Sequence, residues 1–256
     1  MLADASSLHV SVAQSQEDIR AAQRLRYDVF VTELGGDGPL VDHENRLEKD
    51  VFDRFADHLL LRDDSRYDSP TRGIAGVYRL MTKQHAAAAG QFYSESEFDL
   101  SILKHSTKNV LELGRSCLHP DMRSGAGLTA LWQGVAHYAE ARSIDTLFGV
   151  ASFQGTDPLR FQNALSYLHQ AYLAPPDIRV TSRTPDAFTP LPNDQIDRKS
   201  AMRDTPALIK SYLKLGGVIG QGVYIDRAFN TTDVCMLLDT TRLCKDALSR
   251  IARSRP

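Results

Sequence analysis

Val110-Leu111-Glu112-Leu113-Gly114-Arg115-Ser116-Cys117-Leu118, followed by His119-Pro120, reads as an interior strand carrying a glutamate and an arginine three residues apart. Ionised side chains lose their hydration inside a protein and are seldom buried unless paired, so two of them in one apolar strand mark a site. A regular strand sends residues three apart to opposite faces. Both charges can serve one site only if a bulge at Gly114 turns the chain, which would also part the strand from its neighbour. Beyond the strand, Met122-Arg123-Ser124-Gly125-Ala126-Gly127-Leu128 leads into a helix predicted over 129–142, with Leu131, Val135 and Tyr138 on one side. A glycine turn before a helix can offer unpaired N–H groups and a positive dipole end to a phosphate, or can be an ordinary tight turn.

Working outward, alternation predicts strands over 8–13, 58–62, 73–81, 147–153 and 234–238. Helices are predicted over 15–25 with Ser15 as N-cap, over 92–103, over 157–170 with Asp157 as cap and Pro158 in the first turn, and over 206–215. From Ala174 to Thr205 five prolines break every pattern, as in a functional or disordered loop. The tail from Thr241 to Arg253 reads as a basic amphipathic helix. With no repeat and no linker, one mixed α/β domain over 1–256, with added elements from about 206, is the simplest organisation.

A formal charge of -2 and a pI near 6.4 argue against a nucleic-acid partner, which would need clustered basic charge. Cys117, Cys235 and Cys244 form neither a disulfide framework nor a metal site. The start of the chain lacks a basic segment followed by an apolar block, and no apolar run approaches the ~18 residues of a membrane span, so a cytoplasmic, soluble or peripheral protein is expected.

Other charged groups invite chemistry. Glu48-x-Asp50-x-x-Asp53 suits either a solvated acidic loop or a pocket for a cation or amine. Arg79 falls on the face of Val77 and Ala75, which fits an opening cleft or an arginine reaching solvent along its stem. His58 and Asp63 match the H-x-x-x-x-D pattern of glycerolipid acyltransferases, but five residues along a strand put them on opposite faces.

Taken in order, Arg26-x-x-x-Phe30, Glu48-x-Asp50-x-x-Asp53, Arg79 and Glu112-x-x-Arg115 resemble the charged skeleton of acyl-homoserine-lactone synthases, with Gly36 about where those carry a tryptophan. The run PALIKSYLKLGG from Pro206 to Gly217, Gly220, Tyr224-Ile-Asp226, Phe229-Asn230 and the segment from Asp233 to Asp239 resemble the ornithine-acyl-[acyl-carrier-protein] N-acyltransferases. Ala151-Ser-Phe-Gln-Gly-Thr-Asp157 agrees.

The resemblance implies an α/β fold of the Gcn5-related N-acetyltransferase (GNAT) type, a mixed sheet flanked by helices. It implies transfer of a 3-hydroxyacyl chain from acyl carrier protein to the α-amine of L-ornithine, giving lyso-ornithine lipid, with no permanently bound cofactor beyond the donor's phosphopantetheine arm. Glu112 would be the base, or hold the water that is, with Arg115 beside it, and backbone N–H groups from Ser116 to Leu118 would hold the oxyanion. Arg26, Phe30, Glu48, Asp50, Asp53 and Arg79 would receive the acceptor, and Leu118, Arg123, Gly125 and Gly127 the donor arm. Arg242, Lys245, Arg250, Arg253 and Arg255 would form a dock for the acidic carrier or a membrane surface, or simply a basic helix end. The competing readings are acylation of S-adenosylmethionine to release a lactone, acylation of glutamine, and a non-catalytic module that binds acyl carrier protein or lipid.

Overall fold

The computed structural model describes residues 8–123 and 126–242. The chain begins with β1 (Leu8–Val12), α1 (Gln16–Arg26), β2 (Asp57–Asp63), β3 (Ile74–Thr82) and α2 (Lys83–Ala89). It continues with β4 (Phe98–Asp99), α3 (Ser101–Lys104), β5 (Val110–Leu118), α4 (Ala126–Ala141), β6 (Thr146–Gln154) and α5 (Gln162–Tyr172). The last part holds β7 (Thr181–Ser182), α6 (Arg198–Asp204), α7 (Ala207–Lys214), β8 (Val218–Ile219), β9 (Tyr224–Asp226) and β10 (Thr231–Asp239).

The main sheet has the order β1-β2-β3-β5-β6-β10-β8, with β9 also on β10. Every pair in it is antiparallel except β5 with β6. Strand alternation sorts the core. Leu59, Leu61, Tyr78, Leu80, Leu111 and Leu113 pack on one face with Trp132 and Val135 of α4, Leu165 of α5 and Tyr212 of α7. The opposite face carries two smaller apolar clusters, one around α1 with Leu60 and Val77, the other around Phe92, Phe98, Phe148 and Leu237. Arg79 lies between Val77 and Met81 on that face, so the buried charge interrupts the apolar layer there.

The strand from Val110 is a bulged one. Val77 faces Cys117 while Arg79 faces Gly114, so Arg115 and Ser116 together oppose Tyr78. The bulge therefore falls one residue later than Gly114, and Arg115 itself takes the left-handed backbone, with φ of 51°. Gly114 lies under the Arg79 guanidinium, with room for an ordinary contact of 3.7 Å to a side-chain Cβ. Pairing of β5 with β6 covers only Val110–Glu112 against Thr146–Phe148, and beyond it the two strands part. At the fork a Cβ on Gly149 would sit 2.1 Å from the carbonyl oxygen of Leu113, so only glycine lets β6 come this close.

Three segments depart from expectation. Residues 92–103 are not one helix: a 3-10 turn over Tyr93–Ser96 gives way to β4, which pairs with β7 about eighty residues away, and then to α3. Asp157 caps as expected, but a 3-10 turn over Pro158–Phe161 precedes α5. The proline-rich stretch from Ala174 is pinned by β7, by α6, and by a bond of 2.8 Å from the Gln221 N–H to the Val180 carbonyl. The expected tail helix lies outside the described residues apart from a short turn over Thr240–Arg242. Among the described residues, no helix is long and apolar enough to cross a membrane.

Candidate active site

Helix α1 starts at Ser15, whose side chain accepts the Asp18 N–H at 3.1 Å, and its last residue is Arg26. There the helix widens into a π-turn over Tyr27–Glu33 that carries Phe30. Arg26 is fully buried, which ionised arginine tolerates only with partners. Glu48 bonds its Nε, and Asp53 accepts from its Nη1 at 2.8 Å. Arg79, from β3, reaches both Asp50 oxygens and, at 3.2 Å, Asp53. Arg115 donates to Glu48 at 3.1 Å and lies 2.9 Å from Asp50.

Three arginines thus face three carboxylates, and the network is neutral within itself. Burial alone would push these acids up, but the arginines overcome it. Arg26 and Arg115 hold Glu48 below its ordinary range, Arg79 and Arg115 do so for Asp50, and Arg26 and Arg79 for Asp53. Gln23 adds a bond of 2.8 Å to Asp53. The six charges predicted from the sequence as an acceptor pocket and clamp are therefore brought together, chiefly onto one another. Asp50 and Arg115 keep the most exposure, with side chains 17% and 10% accessible.

Arg115 joins two clefts. One, of about 320 Å³, lies where β5 and β6 part, against Ser116, Ala151, Ser152 and Asp233. The other, of about 270 Å³, opens toward the loop holding Leu40, Asp50 and Phe52. Tyr93, Arg115, Asp226 and Phe229 border both. The Arg115 guanidinium sits 4.6 Å from the Tyr93 ring centre and 4.9 Å from that of Phe229, within cation–π range of each. Phe229 also occupies the space a side chain at Gly36 would need, since a Cβ there would lie 2.8 Å from its ring.

Facing this constriction is a second set of acids. Glu97, Asp226 and Asp233 each present a carboxylate oxygen within 4.8 Å of the others. Burial, then the neighbouring charges of Asp233 and Asp226, push the Glu97 carboxyl well above its usual range. Burial pushes Asp233 up to about 6, with Asp226 adding to it and the Ser152 and Thr231 hydroxyls restraining it.

The other predicted residues are placed as follows. Glu112 is 2% exposed, and its two oxygens accept the Tyr93 N–H at 2.9 Å and the Ser94 N–H at 2.7 Å. Burial raises its carboxyl and those bonds oppose the rise. Glu112 thus shapes the turn that delivers Tyr93 and Glu97 and does not line either cleft described above. Ser116 and Phe30 do line the first cleft. Arg123 holds Glu33 through both nitrogens at 2.5 Å and donates to the Leu118 carbonyl at 3.2 Å. Gly127 allows Met122 close to α4, where a Cβ would meet the Met122 oxygen at 2.7 Å. Gly125 lies outside the described residues, as do Lys245, Arg250, Arg253, Arg255 and the side chain of Arg242. His58 and Asp63 form no dyad: His58 Nε2 meets the Asp53 carbonyl at 3.0 Å, while Asp63 caps the turn at Ser65. Tyr93, Asp226, Phe229 and Asp233 border the clefts and Glu97 joins their acid cluster, and none of the five stands among the site residues expected from the sequence.

Known proteins resemble this chain at two levels, sequence and fold. The description "Acetyltransferase (GNAT) domain" matches residues 25–133. An L-ornithine N(alpha)-acyltransferase of Rhodobacter capsulatus is 47% identical, over 94% of this chain and 93% of that protein. One of Brucella abortus is 40% identical, over 95% of this chain and 88% of its own. In three dimensions the AHL synthase LasI superposes with a TM-score of 0.51 at 12% identity, covering 97% of this chain and 98% of that one, a likeness of fold.

Proposed function

The chain belongs to the L-ornithine N(alpha)-acyltransferases, and from that premise we propose that its forked cleft joins a 3-hydroxyacyl chain, delivered by acyl carrier protein, to the α-amine of L-ornithine. The observation that carries this reading is the meeting of two clefts at Arg115, one between parted strands and one toward the acidic loop. Two substrates must approach one carbon from different sides, and a pair of joined cavities provides for that.

The donor's phosphopantetheine arm would lie in the gap between β5 and β6, with its phosphate toward Arg123 and the start of α4. Thioester carbonyl oxygen would point at the N–H groups of β5 beyond Glu112, where, among the described residues, the pairing with β6 has ended. The amine nitrogen forms a bond to the carbonyl carbon, and the carbon–sulfur bond then breaks. Starting from the ammonium form, one proton goes to water before attack and one ends on the departing thiolate, leaving amide and free thiol. Arg115, partly exposed where the clefts meet, suits the carboxylate of the amino acid. The tail residues Lys245, Arg250, Arg253 and Arg255 are proposed to dock the acidic carrier or a membrane surface. The product, an N-acylated ornithine, would be the first intermediate of ornithine lipid.

The test is incubation with 3-hydroxyacyl carrier protein and either L-ornithine or S-adenosylmethionine, with mass detection. N-acylornithine is expected; a lactone from the second acceptor alone would reject the reading.

A further inference from the structure

Ornithine carries a second ammonium at the end of its side chain, and if it is the acceptor, as proposed above, something must receive that charge. Glu97, Asp226 and Asp233 reach one spot from three separated segments: the end of the Tyr93–Ser96 turn, β9 and β10. Among the described residues, Glu97 Oε2 and Asp233 Oδ1 are buried without a hydrogen-bond partner, and the residues that carry them are 2% and 3% exposed. The ion pairs of Arg26, Arg79 and Arg115 go to Glu48, Asp50 and Asp53 instead. We propose that Glu97, Asp226 and Asp233 form the subsite for the side-chain ammonium of ornithine and so make the enzyme selective for a diamine.

The geometry suits that ligand. An ammonium donating three bonds of ~2.8 Å in tetrahedral directions needs acceptors about 4.6 Å apart, and the three oxygens lie within 4.8 Å of one another. Asp226 and Asp233 border the cleft that holds Ser116, so the subsite and the reacting strand share one cavity. Asp226 is already oriented, its Oδ1 accepting the Ala228 N–H at 2.8 Å and the Phe229 N–H at 3.1 Å. Clustered carboxylates without a cation repel and hold protons to relieve it, and a bound ammonium lets them ionise. A neutral side chain such as glutamine's would leave the acids uncompensated, the kind of mismatch by which a polar site rejects an analogue. Calcium or magnesium would need waters to complete a shell of six or more around three carboxylates, and the chelation test below separates such an ion from an ammonium.

Acylation by the full-length protein should be compared for L-ornithine, L-glutamine and L-norvaline, which keeps the carbon chain without the second amine. Wild type should favour ornithine over both by at least ~10²-fold in kcat/KM, the level at which unpaired buried groups discriminate. Asp233→Asn and Glu97→Gln should each bring the ornithine-to-norvaline ratio within ~10-fold, mainly by raising the KM for ornithine. Equal use of norvaline and ornithine by wild type overturns the subsite and needs no variant to fold. Equal loss on both acceptors in the variants also overturns it, as does a requirement for calcium or magnesium abolished by chelation. Failure of wild type to acylate ornithine at all is a separate result: it removes the activity itself, and the subsite with it.

Discussion

Six acids flank Arg115 in two groups of three, and their environments are opposite. Glu48, Asp50 and Asp53 come from one loop and are each matched by arginine; Glu97, Asp226 and Asp233 come from three segments and, among the described residues, have no ion pair. The first group is a finished structure, its charges cancelled from within. The second is a structure awaiting a cation. Buried charge alone therefore does not mark a substrate site; the proposed subsite rests on buried charge lacking its counterpart.

The sharpest way to break the contrast is to unbalance the first group. Arg79→Met should leave Asp50 and Asp53 under-compensated and cost about 3–5 kcal/mol, read as a lower denaturation midpoint. A loss under ~1 kcal/mol would mean the network is not the closed unit described.

The next test uses pH, because the two groups have opposite signs. Carboxyls of the first group are depressed, so their contribution to stability is present above the ordinary carboxylate range and fades only as pH falls through their lowered values. Asp233 is raised to about 6, so its contribution is complete below the ordinary range and is lost as pH rises through about 6. Asp233→Asn imitates the protonated form. It should stabilise the free protein by about 1–3 kcal/mol at pH 8 and by much less at pH 5. Glu97, Asp226 and Arg115 act on this group electrostatically, and Ser152 and Thr231 hydrogen-bond it. Saturating ornithine should erase the advantage at pH 8; an unchanged advantage would separate Asp233 from the ligand.

The smallest effect concerns a residue that borders both clefts. Phe229→Leu removes one of the two rings over Arg115 and should cost about 0.5–1 kcal/mol, with a few-fold rise in the KM for ornithine. A larger stability loss would show that Phe229 matters chiefly for filling the space beside Gly36.

The same contrast explains what could be read in the sequence. Glu48, Asp50 and Asp53 stand within one short segment, and Arg79, Glu112 and Arg115 interrupt apolar strands, so all six were visible as anomalies. The pairing of the three acids with Arg26, Arg79 and Arg115 was not, because it depends on loop closure over α1. Glu97 is hidden because the mixture of acidic and apolar residues over 92–103 reads as a helix. In the fold, Glu112 seizes the Tyr93 and Ser94 N–H groups, and Phe98–Asp99 pairs with a strand far along the chain. Asp233 did carry a signal, a charge opening the buried run from Val234 to Leu238, the same anomaly that drew attention to Glu112. The strand's bulge was legible from the spacing of Glu112 and Arg115, though not its seat on Arg115.

The fork between β5 and β6 has one more consequence. Ordinarily a strand with an open side lies at the margin of its sheet, where any other chain can add itself. Here the open side is enclosed by strands on both flanks, so a folded protein cannot reach it. Only something as slender as a single extended chain can slide in and satisfy the bare amides. On the reading proposed above, the gap works as a sieve, open to a flexible arm and shut to the self-association that an unpaired strand otherwise invites.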